Sequence, residues 1–221
     1  MIFLKYEILK KEIKNSVPNG EGEFVKYSIA YPEINGKDGF SKVFCGFYSL
    51  LAKRFEEFAK TKLYKEAMRY KTLSDVEFKP FGAVLKFVCS YNKGNVISIV
   101  MDAFVSMGGD KKESKRLSQN WDCQTGRMLL YEDFFDSTDK ADILRGIKNE
   151  ANLRFDTRLS DFYPDYEKRL KKGFSKNDFY LTPKGYGFFY PSGYLSRSNT
   201  PEVFFLLGYS GNGLFDPYGE N

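Results

Sequence analysis

The 221-residue chain contains no histidine. That excludes a nucleophile activated by imidazole, a His-ligated zinc and an imidazole pH switch. Acid–base work would fall to carboxylates, two of which can cleave a glycosidic bond between them. Asp102 sits within the apolar run "NVISIVMDAFVSM", where burial would raise its pKa; a solvent face or a turn partner is the plainer role. Glu132 and Asp133 are adjacent and point different ways, so helix-end electrostatics explains them more simply than a catalytic pair. Cys45, Cys89 and Cys123 are widely spaced and lack a C-x-x-C, which indicates neither a disulfide framework nor a Cys-rich zinc site. "MGGD" (Met107 to Asp110) and "GYGFFY" (Gly185 to Tyr190) match no phosphate-binding fingerprint, and no calcium loop is present. No catalytic residue, metal site or cofactor is assigned.

Recognition chemistry is better supplied. The chain has 22 Phe and 16 Tyr, most of which must build a core, with the remaining Tyr suited to a partner surface. Tyr186, Tyr190, Tyr194 and Arg197, around "YPSGYLSR", form a candidate exposed binding cluster; an ordinary hairpin and loop is the alternative. The balance of 34 basic and 29 acidic residues leaves a formal +5, too small to imply a polyanion partner. The basic runs "DKKESKR" (Asp110 to Arg116) and "EKRLKKGFSK" (Glu167 to Lys176) contain acids and lack an unbroken basic stripe, so nucleic acid is not an expected partner. "MIFLKYEILKKEIKN" carries Lys5 and Glu7 where a signal peptide needs apolar residues, and no run of about 18 uncharged apolar residues occurs. The expectation is a cytoplasmic chain without a membrane segment, or an extracytoplasmic one if a leader is removed.

The elements that would position these residues follow from periodicity. Phe3 to Asn15 reads as a strand, "SVPNGEG" as a loop, and "FVKYSIAYPEI" as a strand with Val25, Tyr27, Ile29 and Tyr31 on one face, ended by Pro32. From Gly39 to about Tyr70 the period becomes helical, with Phe40, Phe44, Phe47, Leu51, Phe55 and Phe58 as the apolar stripe. Gly82 to Tyr91 and Asn95 to Met107 form a β pair around "NKG", where Gly94 takes positive φ. "KRLSQNWD" and "RMLLY" are strands joined by "CQTG", with Trp121 covering the end of the core. A helix over about Lys140 to Leu159 presents Ile143, Ile147, Ala151 and Phe155, capped by Ser137 or Thr138. A short basic helix (about Tyr163 to Lys172), a hairpin turning at Pro183-Lys184-Gly185, and a strand from Glu202 to Tyr209 complete the chain.

The ordered set "YPEI", a strand ending in Gly108-Gly109, "NWDCQTGRMLLYEDFF", "FYLTPKGYGFFYP" and a closing apolar strand resembles RsiV-type proteins of the DUF3298 family, with a DUF4163-like part preceding. The most specific piece is the "D-x-x-T-G-x-x-L" turn followed by "DFF". The resemblance covers roughly Tyr27 to Tyr209 and implies an α+β fold; with no clear linker, the chain reads as one domain over 1–221, an antiparallel β-sheet with the long amphipathic helix and a second helix packed on one face. Its halves would be about 1–107 (DUF4163-like) and 108–209 (DUF3298-like), with 210–221 a frayed tail. It implies a non-catalytic binding or sensing module with a protein ligand, lysozyme-like by resemblance; a carboxylate hydrolase acting on a cell-wall or other glycan, using Asp102 and Glu132, is the alternative. Where relatives carry "TGGAHG" this chain has "MGGDKK" (Met107 to Lys112), and where they carry "APYAAG" it has "LSRSNTP" (Leu195 to Pro201). Both changed loops are where the family is expected to meet partners.

Overall fold

Strands β1 (Ile8–Asn19) and β2 (Gly22–Ile34) form an antiparallel ribbon, paired from Ile8 opposite Ile34 to Asn19 opposite Gly22 with one register shift. The computed structural model describes residues 6–20, 22–73, 77–108, 112–136, 138–157, 161–196 and 203–209. Neither proline ends a strand here. β1 is the sheet edge and a bulge separates Val17 from Pro18, so the missing N–H interrupts no central ladder. Pro32 lies beyond the stretch Val25–Ile29 that pairs with the next strand, and one side of β2 has no ladder to lose there.

The next strand, β3 (Phe81–Lys93), pairs with β2 in parallel, Val25 opposite Phe81 through Ile29 opposite Leu85. The sheet is therefore mixed rather than wholly antiparallel, because parallel neighbours need a long crossover and the chain supplies one. It consists of α1 (Gly39–Phe58), a π-helical turn (Ala59–Leu63) and α2 (Tyr64–Leu73). Asp38 caps α1, accepting from the Ser41 N–H at 2.8 Å and the Ser41 hydroxyl at 2.9 Å. The buried stripe is Phe40, Phe44, Tyr48, Ala52, Ala59, Leu63 and Ala67, whereas Phe47, Leu51, Phe55 and Phe58 are only half-buried. A step of four residues drifts around a 3.6-residue helix. The wider π turn brings Ala59 and Leu63 back to the sheet side, and the alanines permit close approach.

β4 (Val96–Ser106) and β5 (Lys112–Asp122) follow, and the six strands β1 to β6 (β6 is Met128–Leu129) lie in sequence order across one curled sheet. The β3–β4 turn places both Gly94 and Asn95 at φ 62°, the geometry of a two-residue hairpin of twist-matched hand. A second, antiparallel sheet contains β7 (Phe179–Thr182), β8 (Gly185–Tyr190) and β9 (Val203–Gly208). With α3 (Asp139–Asp156) and α4 (Tyr166–Gly173), the fold is α+β. Two compact units form: one from Tyr6–Val88 and Met101–Lys115, the other containing Cys89–Val100 and the chain from Arg116 onward. In the first, α1 packs on β2; in the second, α3 packs on β9, so the two helices cover different sheets rather than one face.

The core of the second unit joins Ile143, Ile147 and Ala151 of α3 to Phe179, Leu181 and Phe188. Tyr180 and Phe189 point the other way and are buried with Val100, which is why β8 is apolar along its whole length. Ser98, fully buried, accepts from the Leu181 N–H at 3.1 Å, and Ser118 donates to the Phe179 carbonyl at 2.6 Å. Two serines thus satisfy outward backbone groups of β7.

The "D-x-x-T-G" motif is a corner. The Asp122 carboxylate accepts from the Gln124 N–H at 2.9 Å and the Thr125 hydroxyl at 2.6 Å, while Gly126 takes φ 72° and donates to the Asp122 carbonyl at 2.8 Å. Trp121 beside it is buried, but β6 is only two residues long, shorter than the strand expected from "RMLLY". Arg127 then donates to both Asp133 oxygens, at 2.9 and 2.6 Å, and Asp133 accepts from the Leu130 N–H at 2.7 Å. Thr138 occupies the N-cap of α3, as expected, but makes no side-chain cap bond; Asp136 ahead of it accepts from the Thr138 N–H at 2.7 Å, and Ser137 lies outside the described residues.

The Arg127 guanidinium holds the Asp133 carboxyl below the usual carboxylate range, against an upward push from burial and with help from the Leu130 N–H. A carboxyl whose pKa is depressed on folding contributes stability above its unfolded value, about 3.9, and loses it as pH falls through the folded value. Urea unfolding of Arg127→Gln should accordingly show a deficit against wild type at neutral pH that shrinks as pH falls below about 4. A deficit constant with pH would show that the pair contributes nothing through Asp133 ionisation.

Candidate functional site

Glu66, Arg69, Tyr70 and Leu73 occupy one stripe of α2, at spacings of three and four. Fully buried Ala67 holds the helix down, leaving this stripe at the margin. Together with Phe81 at the start of β3 and Met107 and Gly108 just past β4, the stripe lines a cleft of about 490 Å³. Small-ligand sites span roughly 300–1,000 Å³. Gly108 is required by the geometry: its φ is +68°, and a Cβ there would lie 2.8 Å from the Tyr70 ring and 3.2 Å from Phe81. Without that Cβ, the Tyr70 and Phe81 rings meet at 5.6 Å and form an aromatic floor. Leu73, 73% exposed, supplies an apolar wall.

The rim carries opposite charges. Glu66 precedes Arg69 by one turn, yet neither makes a hydrogen bond or ion pair with any described residue. Four helical pairs close, Glu56–Lys60 at 2.6 Å, Asp142–Arg145 at 2.6 Å, Glu150–Arg154 at 3.0 Å and Asp165–Arg169 at 2.8 Å, whereas Glu167 pairs with Lys148 at 2.9 Å rather than with Lys171 one turn on. A shallower groove of about 520 Å³ crosses β1, β2 and β3, but its charges are already matched, Lys26 to Glu23 at 2.6 Å and Lys14 to Glu12 at 3.3 Å.

The residues singled out from sequence are distributed differently. Tyr186 and Tyr190 are buried at 0% and 1% exposure, members of the core of their unit. Tyr190 donates to the Leu170 carbonyl at 3.0 Å, and burial, then Tyr194, pushes its pKa up. Tyr194 is half-buried, stacked on Tyr190 at 6.4 Å and lying against Gly173. Arg197 lies outside the described residues. These tyrosines come together as packing, because β8 is covered on both faces, and do not form an exposed cluster. Asp102 is 8% exposed and has an interaction partner. Glu132 is exposed and bound to Lys176 at 2.7 Å, and that contact lowers its pKa, the wrong direction for a proton donor. Among the described residues no group of three or more Cys, Asp or Glu could hold a metal, and all three cysteines are free thiols. Parts of the basic runs are engaged: Arg169 with Asp165 at 2.8 Å, Arg116 over the Phe189 ring at 5.9 Å.

No protein-family model and no curated protein matches the chain. Solved structures do. A member of the DUF3298 family from Bacteroides fragilis superposes with a TM-score of 0.67 at 13% identity, covering 96% of this chain and 94% of that one. A DUF3298 family protein from Pseudomonas aeruginosa gives 0.61 at 16% identity, covering 97% and 95%. The chain has the DUF3298 fold. Within that fold, the "D-x-x-T-G" and "DFF" segments are structural: a carboxylate-capped corner, then Phe134 and Phe135 in the core. Of the loops where the resemblance expects partners, Met107 and Gly108 line the cleft and Leu195 and Ser196 are buried; 109–111 and 197–201 lie outside the described residues. No helix among the described residues is long and apolar enough to cross a membrane.

The α2 stripe is absent from the sequence reading. Its one available signal was "EAMRYKTL", where charges and apolar residues share a face that a core-seeking periodicity assigns to solvent. Substituting Gly108 by Ala tests the floor. Strain at positive φ and the clash with Tyr70 should cost about 1 kcal/mol or more in chemical denaturation. Adding Tyr70→Ala should cost less in that background than in wild type, a non-additive cycle; simple additivity would show that the glycine does not accommodate the ring.

Proposed function

We propose that this chain is a non-catalytic binding or sensing module whose ligand seats in the α2 cleft. The observation that carries the reading is the aromatic floor of Tyr70 and Phe81 beneath an unengaged Glu66 and Arg69. Several acids elsewhere are occupied in caps and ion pairs: Asp38, Asp122, Asp133 and Asp136 all accept from neighbouring donors. A cleft rich in aromatic surface with a few charged groups on its rim is suited to recognition. Its position beside Met107 and Gly108 matches the loop where the resemblance expects a partner. By that resemblance the ligand is a protein, and lysozyme is the first candidate.

Calorimetric titration of the chain with lysozyme tests this reading. Saturable heat is expected, weakened about ten-fold by Leu73→Asp, an exposed position whose change spares the core. Absence of heat removes lysozyme as the ligand; binding that ignores Leu73→Asp removes the cleft as its seat.

A further inference from the structure

We infer that the cleft selects a zwitterion: a free α-amino acid with a large apolar side chain. The inference rests on the reading of the α2 cleft as a binding site; it names a small ligand there in place of the protein that the resemblance suggests. Glutamate one turn before arginine is the favourable order for an intrahelical pair, since it also suits the helix dipole. Four other acid–base pairs on helices of this protein, with the acid first, close at 2.6 to 3.0 Å. Glu66 and Arg69 keep that order, at the three-residue spacing that only Asp142–Arg145 of these four has, and both line the cleft instead of pairing. Side chains three apart on a helix are neighbours, roughly 5–6 Å between Cβ atoms. That separation suits a molecule whose ammonium and carboxylate are attached to one carbon, the ammonium towards Glu66 and the carboxylate towards the Arg69 fork. Below them, Tyr70, Phe81, Leu73 and Met107 leave an apolar space for the side chain on the same carbon. A carboxylate at the mouth disfavours a phosphate ligand, since like charges there repel.

The two charges can be tested separately with three probes that share a phenyl ring. Phenylalanine carries both charges, phenethylamine only the ammonium and 3-phenylpropionate only the carboxylate. Amide chemical-shift titration of the full chain, to about 10 mM probe, reads binding at α2 and Gly108. Phenylalanine should bind about five-fold or more tightly than either singly charged analogue, as two partly exposed charge contacts allow. Arg69→Gln should bring phenylalanine down to the level of phenethylamine, and Glu66→Gln down to that of 3-phenylpropionate. Both positions are exposed, so folding is not at stake. Equal affinity of the three probes at the cleft would overturn the zwitterion while leaving the cleft as a binding site. No shift at α2 with any probe would overturn it too, leaving the lysozyme titration as a separate measure of the binding reading.

Discussion

Two parallel strands cannot be joined by a turn, and this one constraint shapes the first unit. Once β2 and β3 lie side by side in the same direction, the chain must return along the sheet, and α1, the π turn and α2 do so in a single helical run from Gly39 to Leu73. Such a return brings the end of α2 to the start of β3, where Tyr70 meets Phe81. The cleft is a consequence. A helix long enough to make the crossing carries a last stripe, Glu66 to Leu73, at the margin of the layer it covers. The π turn is what keeps the preceding residues seated, since a stripe spaced by four would otherwise rotate away from the sheet.

The second unit is governed by satisfaction of polar groups. β7 would leave backbone donors and acceptors unpaired in a buried place, and buried unpaired groups are costly. Ser98 and Ser118 supply partners, which explains a serine of 0% exposure in the middle of an apolar strand. The same logic accounts for the acids. Asp122 and Asp136 replace backbone partners at a corner and at a helix start, and Asp133 fixes Arg127 through two parallel hydrogen bonds. A cluster of acids in sequence is here a cluster of local braces.

The rim of the α2 cleft differs from those braces. Its carboxylate and guanidinium brace nothing among the described residues, and its glycine is shaped by the ring it admits.

Local chemistry was readable from the amino acids alone. The alternation of Val25, Tyr27 and Ile29, the helical run from Gly39, the turn at Gly94 and the corner at Thr125-Gly126 depend on residues within a few positions of each other, so their period and turn chemistry suffice. The exclusion of imidazole chemistry needed only composition. Tertiary structure decided the rest. Which side of the long helix is buried depended on the sheet beneath it, and so Tyr48 and Ala52 replaced Phe47 and Phe55 in the core. Tyr186 and Tyr190 became packing residues because β8 is covered on both faces. The cleft joins residues 66–73, 81 and 107–108, brought together by a parallel strand pair, and pairing direction is a long-range outcome that no short stretch of chain encodes.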